Sequence, residues 1–299
     1  MIPKNFEYFV PHSIDEAISL LEKYGEDAKL MAGGQSLIPL MKLGLGFFRN
    51  IISIERIPNL SYIKEIKEGG VAIGNLTTHS MIENSDLIKS KYPLLAEAAS
   101  AIADVQVRNR GTIGGNLCHA EPAADYPPVM VALDAKFKVI GPKGERTIKA
   151  GDFITDIFTT NLEYNEILKE IILPIVPPKT GGAYLRLCKR SGDSAIVSVA
   201  SVITLDDKNN CENVNITLGA VGPMPIKAEL AERMLLGKNL NEIRLEDISE
   251  KASEAAEPNS DIHASKEYRK DMIKVFTKRC LELAINRARG DGIQNETQN

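Results

Sequence analysis

No run in this chain approaches the ~20 apolar residues needed to cross a bilayer, which excludes a conventional membrane-spanning helix. The opening residues, MIPKNFEYFVPHS, lack the apolar stretch of a secretory signal. The expectation is a soluble, cytoplasmic protein. Cysteine is sparse: Cys118, Cys188, Cys211 and Cys280 are the only four in 299 residues, and none forms a C-x-x-C pair. Zinc and iron–sulfur centres draw on convergent thiolates, usually in close sequence pairs, so no metal ligand is assigned to this chain. Excess positive charge is missing as well. Thirty-six Lys and Arg against 40 Asp and Glu leave a net charge of −4, and no basic tract stands out, which argues against a nucleic-acid partner. Two nucleotide fingerprints are also absent. Without G-x-G-x-x-G or G-x-x-x-x-G-K-[ST], neither a Rossmann dinucleotide fold nor a P-loop is expected.

The pattern that is present is mixed. SIDEAISLLEKYG sets Ile14, Ala17, Ile18, Leu20 and Leu21 on one helical stripe, with Ser13 as N-cap and Gly25 beyond the C-terminus. DAKLMA and NIISIERI read as strands, and their alternation with helices predicts a small, largely parallel sheet. The middle of the chain alternates strands with helices such as YPLLAEAASAIA and PPVMVALDA. PIVPPKTGG then reads as a domain edge. Beyond it come three strands, GAYLRLCKRSG, SAIVSVASVITLD and NVNITLGAVG, the last two joined by the turn DDKNN, and then three helices. The tail RGDGIQNETQN is polar and is expected to be disordered.

Two glycine motifs stand out. In LMAGGQSLIPLMKLG, Gly33 and Gly34 join a strand to a helix. Such a turn exposes successive backbone N–H groups that suit an anion such as pyrophosphate. The plainer reading is a tight turn with Ser36 as helix cap. In VQVRNRGTIGGNLCHAEPAADYPP, Gly114 and Gly115 lie in a long polar segment that reads mainly as loop. Asp125 there is either the N-cap of the next helix or a carboxylate for ribose or adenine donors. Two such motifs about eighty residues apart would suit a long ligand with two phosphates. His119 beside Cys118 reads as a hydrogen-bonded loop histidine, or as a metal pair or acid–base group. Arg108 and Arg110 read as a solvated or interface face, or as diphosphate contacts.

Taken together, AGGQSLIPLMKL and QVRNRGTIGGNLCHAEPAADYPPVMVALDA resemble the FAD-binding medium subunit of the xanthine dehydrogenase and carbon monoxide dehydrogenase family of molybdenum hydroxylases. The resemblance runs from the N-terminus to about Ala288 and includes IGNLTTH. It implies an α+β fold of the vanillyl-alcohol oxidase type, with two α+β subdomains (1–56 and 57–176) and FAD between them. A C-terminal α+β domain (177–288) with a three-stranded antiparallel sheet and helices would follow, then the tail (289–299). Leu30, Met31, Ala32, Gly33, Gly34, Gln35, Ser36 and Leu37 would line the FAD pyrophosphate. Thr112, Ile113, Gly114, Gly115 and Asn116 would form a second clamp. Asp125 and Leu168 would match the family's FAD-contacting aspartate and apolar residue. Ile102 stands where an aromatic ring often flanks the flavin. A FAD-contacting lysine of the family would fall at Cys188, and Lys189, one residue on, would face the other way in a strand.

The resemblance implies no catalytic acid or base in this chain. It implies a large molybdopterin subunit and a small subunit with two [2Fe–2S] clusters as partners, in a dimer of heterotrimers. Electrons would pass through FAD to NAD(P)+, a quinone, ferredoxin or oxygen. The alternative is a stand-alone flavin oxidoreductase of the same fold.

Overall fold

The computed structural model describes residues 3–67 and 69–290. The chain forms two compact units. The first gathers Met1–Ile82, Asp104–Glu121 and Ala135–Pro174; the second gathers Glu83–Ala103, Pro122–Asp134 and Ile175–Asn299.

In the first unit, the strand Asn50–Ser53 lies between Glu7–Phe9 and Ala28–Met31, parallel to both. It is buried along its whole length, with apolar Ile51 and Ile52 on opposite faces between the buried polar residues Asn50 and Ser53, as in a strand covered on both faces. The helix Ile14–Tyr24 covers this sheet. Ser13 accepts from the Glu16 N–H at 3.1 Å, Gly25 ends the helix at φ +51°, and Ala17, Ile18 and Leu21 are buried in one core with Ile52 and Ile54. Both caps are those the sequence predicts.

A second sheet of five antiparallel strands completes this unit, in the order Ile63–Ile66, Gly70–Gly74, Ile167–Leu173, Lys136–Gly141, Gly144–Lys149. Its central strand comes from far along the chain. That strand carries a bulge between Leu168 and Glu170, opposite Val139 and Lys138.

The second unit is built on Thr180–Leu187, Val197–Leu205, Cys211–Gly219 and Ile226–Lys227, all antiparallel. Three of these strands follow the expected pattern. The fourth has only two residues after GPMP, too short for an alternation to show in the sequence. The expected hairpin turn is present: Asp206 Oδ1 accepts from the N–H groups of Lys208 at 2.7 Å and Asn210 at 2.8 Å, and Asn209 sits at φ +62°. The helix Lys266–Arg289 packs on the first two of these strands, burying Ile273, Cys280, Leu281 and Ala284. Arg289 ends it and Gly290 caps it; the rest of the expected tail lies outside the described residues. No helix among the described residues is long and apolar enough to cross a membrane.

Candidate functional site

The first glycine motif joins the strand Ala28–Met31 to the helix Leu37–Leu43. Gly34 turns the chain at φ +72°, in the left-handed region that glycine tolerates. The Gln35 side chain donates to the Gly33 carbonyl at 3.1 Å and braces the turn. Ser36 precedes the helix, but its hydroxyl makes no cap bond, which corrects the capping expectation. With its backbone already near-helical (φ −106°, ψ −44°), Ser36 lacks the extended geometry a capping serine adopts. Among the described residues, the N–H groups of Gly33, Gly34, Gln35 and Ser36 donate to no protein acceptor. The segment is half-buried to exposed. Successive backbone donors without a protein acceptor at a glycine turn are the kind of backbone that suits an anion.

The second motif is organised differently, and the loop expectation is corrected here. Ile113–His119 is a helix, with Thr112 as its N-cap. Its early N–H groups are all taken: Ile113 by Thr77 O at 3.0 Å, Gly114 by Asn75 O at 2.9 Å, Gly115 by Thr112 Oγ1 at 3.1 Å and Asn116 by Thr112 O at 3.0 Å. The glycines serve packing instead. An ideal Cβ on Gly114 would lie 2.6 Å from Asn75 Cβ, and one on Gly115 would lie 2.9 Å from Thr112 Oγ1. What this motif offers a ligand is side chains, not a ring of backbone donors. The Asn116 amide oxygen is buried without a hydrogen-bond partner.

The fold brings the two motifs together. A Cβ built on Gly33 would fall 1.9 Å from the Arg110 carbonyl oxygen. Between them runs a cleft of about 280 Å³, lined in part by Ala32, Gly33, Thr78, Asn109, Arg110 and Thr112. Arg110 itself grips Glu55 through two bonds, 3.0 and 3.2 Å, with both side chains about half exposed. An exposed pair of this kind contributes little to stability, but it holds the guanidinium at the cleft edge. Leu168 is buried on the central strand, and its carbonyl accepts from Asn75 Nδ2 at 2.5 Å.

His79 is buried against the second motif; its N–H donates to Gly111 O at 3.0 Å. Burial, then the Arg108 guanidinium, lowers its pKa to about 4. The folded chain therefore holds His79 neutral while the unfolded chain protonates it near the ordinary 6.5. Its contribution to stability is complete above about pH 6.5 and is lost as pH falls toward about 4. Urea unfolding across that window should show roughly 2–3 kcal/mol more loss in the wild type than in His79→Gln. Parallel pH profiles for the two proteins would rule this out.

Burial pushes the Cys118 thiol up to about 12, the reverse of what a metal-bound thiolate needs. The His119 ring lies 5.1 Å from Phe158 instead. Among the described residues, no group of three or more His, Cys, Asp or Glu side chains is arranged to hold a metal ion.

Two expected site residues belong to the second unit. Ile102 is buried at the end of the helix Pro93–Ala101. Asp125 precedes the helix Tyr126–Ala132, but its carboxylate makes no cap bond, so the capping reading fails. The carboxylate is held from the strand Thr180–Leu187: the Tyr184 hydroxyl donates to Oδ1 at 2.6 Å, and Arg186 Nη1 reaches Oδ1 at 3.0 Å and Oδ2 at 3.3 Å. Asp125 is 5 % exposed. Burial raises its pKa, while Arg186 and the Tyr184 hydroxyl pull it back.

Arg186 is the residue that sequence reasoning missed. The strand ends at Leu187, so the alternation argument for Cys188 and Lys189 does not reach them; Lys189 donates to Ile262 O at 3.3 Å. Tyr184 and Arg186, two apart, share one face of the strand. That spacing in AYLRL was the available signal.

Similarity to known proteins places this site in a flavin-binding class. A family model described as the FAD binding domain in molybdopterin dehydrogenase matches residues 4–176, and one described as the CO dehydrogenase flavoprotein C-terminal domain matches residues 183–284. The carbon monoxide dehydrogenase medium chain of Hydrogenophaga pseudoflava is 40% identical over 95% of this chain and 98% of its own length. The glyceraldehyde dehydrogenase medium chain of Sulfolobus acidocaldarius is 38% identical over 94% of this chain and 99% of its own. A solved structure of the Hydrogenophaga carbon monoxide dehydrogenase superposes with a TM-score of 0.91, covering 96% of this chain and 99% of the other. The chain belongs to the FAD-binding medium subunits of the molybdopterin dehydrogenases, the family of carbon monoxide and xanthine dehydrogenase complexes.

Proposed function

We propose that this chain is the electron-transfer subunit of its complex. In this reading it takes electrons from a small subunit with two [2Fe–2S] clusters and delivers them to an external acceptor. NAD(P)+, a quinone, ferredoxin and oxygen are the acceptor classes. Substrate oxidation falls to a large molybdopterin subunit, and the assembly is a dimer of heterotrimers. FAD, when bound, supplies the redox chemistry that no side chain here provides.

The residues present fit that cofactor. The observation that carries the reading is the cradle of free N–H groups from Gly33 to Ser36, which matches a pyrophosphate. Leu30, Met31, Ala32 and Leu37 flank it along the same segment. Thr112 and Asn116 contribute polar side chains from the second motif, and Leu168 an apolar one. Asp125 is suited to a different part of the ligand. A carboxylate repels phosphate but accepts from an N–H or O–H group; Oδ1 takes two bonds, from Tyr184 and Arg186, and Oδ2 only the longer one from Arg186, at 3.3 Å.

The test is purification of the chain alone and with its partners. The chain alone should hold one FAD per molecule and turn over no substrate. With partners it should co-purify with molybdopterin and iron–sulfur proteins and show substrate-dependent flavin reduction. Substrate turnover by the isolated chain would favour the stand-alone oxidoreductase. Failure of the apoprotein to take up FAD would overturn the flavin reading.

A further inference from the structure

Asn75 stands where three parts of the first unit converge. It follows directly on the strand Gly70–Gly74, whose Gly74 pairs with Glu170. On its other edge, against the strand Lys136–Gly141, the central strand is bulged, with Lys169 as the extra residue between Leu168 and Glu170. Asn75 holds this same segment from the Gly70–Gly74 side through two carbonyls. Its N–H donates to Lys169 O at 3.2 Å, and its side-chain Nδ2 donates to Leu168 O at 2.5 Å. Its own carbonyl accepts from Gly114 N at 2.9 Å, satisfying one of the donors that every helix start leaves over.

The contact with Gly114 is tight. A Cβ on Gly114 would meet Asn75 Cβ at 2.6 Å, Asn75 O at 2.7 Å and Asn75 Cα at 3.0 Å. Asn75 is 4 % exposed, and its amide oxygen has no hydrogen-bond partner. A buried, unpartnered acceptor is a cost that an apolar side chain would avoid. The amide is therefore retained for its donor half, which reaches Leu168.

We infer that Asn75 is a positioning residue: it fixes the separation of Leu168 and the Gly114 helix, and through them the shape of the flavin site. This rests on the reading that Leu168 and the second motif line FAD. The side chain touches the bulge, not the cofactor, and acts only through the groups it holds.

Two variants of the full chain test this. Asn75→Asp keeps the shape but replaces the donor with an oxygen that repels the Leu168 carbonyl. Asn75→Ala only removes the donor. Apoprotein of each is titrated with FAD, and the visible circular dichroism of the bound flavin is recorded. Ile148→Val, a buried substitution elsewhere in the same unit, serves as a control for general destabilisation. Asn75→Ala should weaken FAD binding about fivefold and Asn75→Asp roughly thirtyfold or more, each with an altered flavin spectrum. Ile148→Val should lower thermal stability while leaving affinity and spectrum as in the wild type. Unchanged affinity and spectrum in Asn75→Asp, or an equal loss of affinity in Ile148→Val, would overturn the positioning role. Wild-type apoprotein that takes up no FAD would instead remove the flavin reading beneath it.

Discussion

Gly33→Ala should destabilise the apoprotein by about 3 kcal/mol or more, before any cofactor is considered. The added Cβ would lie 1.9 Å from the Arg110 carbonyl oxygen, 2.6 Å from its carbon and 3.0 Å from Gly111 Cα. All three are backbone atoms, so no rotamer change relieves the overlap. Relief requires moving the Arg110–Gly111 segment, and that segment leads directly into the Thr112 cap of the second motif. From the sequence alone, a side chain at Gly33 is expected to collide with phosphates while most of the fold survives. The structure moves the collision into the protein. Gly34→Ala makes the contrast. Its Cβ would meet the flexible end of Ile38 at 2.8 Å, and its cost is the strain of φ +72°, about 1–2 kcal/mol. Urea unfolding of the two apoproteins should therefore rank Gly33→Ala well below Gly34→Ala. FAD titration of Gly34→Ala then reports on the cradle itself. A Gly33→Ala apoprotein as stable as the wild type would show that the two motifs are not packed as described.

Local pattern made much of this fold legible. Ser13, the stripe at Ala17, Ile18 and Leu21, and Gly25 specify one helix with both ends capped, because each signal acts within a turn of the backbone it controls. Alternation and buried runs likewise mark the strands Asn50–Ser53 and Val197–Leu205. The second motif departs from its local pattern for a physical reason. Two consecutive glycines lower helix propensity by roughly 1 kcal/mol each, so Ile113–His119 does not look helical. Tertiary bonds to Asn75 and Thr77 and the Thr112 cap override that deficit. Ser36 and Asp125 fail in the opposite direction. Both have a capping side chain at a helix start, yet both adopt near-helical backbone angles, and Asp125 is drawn to Tyr184 and Arg186 instead. The sequence also carries no local mark that Glu83–Ala103 and Pro122–Asp134 fold with the C-terminal unit, since only long-range packing decides it.

Asp125 is where stability and ligand recognition can be separated. Were it a helix cap, Asp125→Ser would leave the apoprotein nearly as stable as the wild type. Because its carboxylate instead pairs with Arg186, whose side chain is only 9% exposed, serine and alanine should behave alike. Each strands a buried guanidinium, a loss of about 3–5 kcal/mol. Removing both charges is different. Asp125→Leu combined with Arg186→Met should recover most of that stability, since a buried pair is often replaced by apolar side chains at little cost. FAD affinity should not recover with it. On the proposed FAD contact, a charge-assisted bond from the cofactor to Asp125 would contribute about 1.5–3 kcal/mol, so the double variant should bind FAD roughly tenfold to a hundredfold more weakly than the wild type. Urea unfolding of the apoproteins and FAD titration supply the two readouts independently. A double variant that regains both stability and wild-type affinity would reduce Asp125 to one half of a structural ion pair, and the FAD contact would have to be sought among the remaining residues of the two glycine motifs.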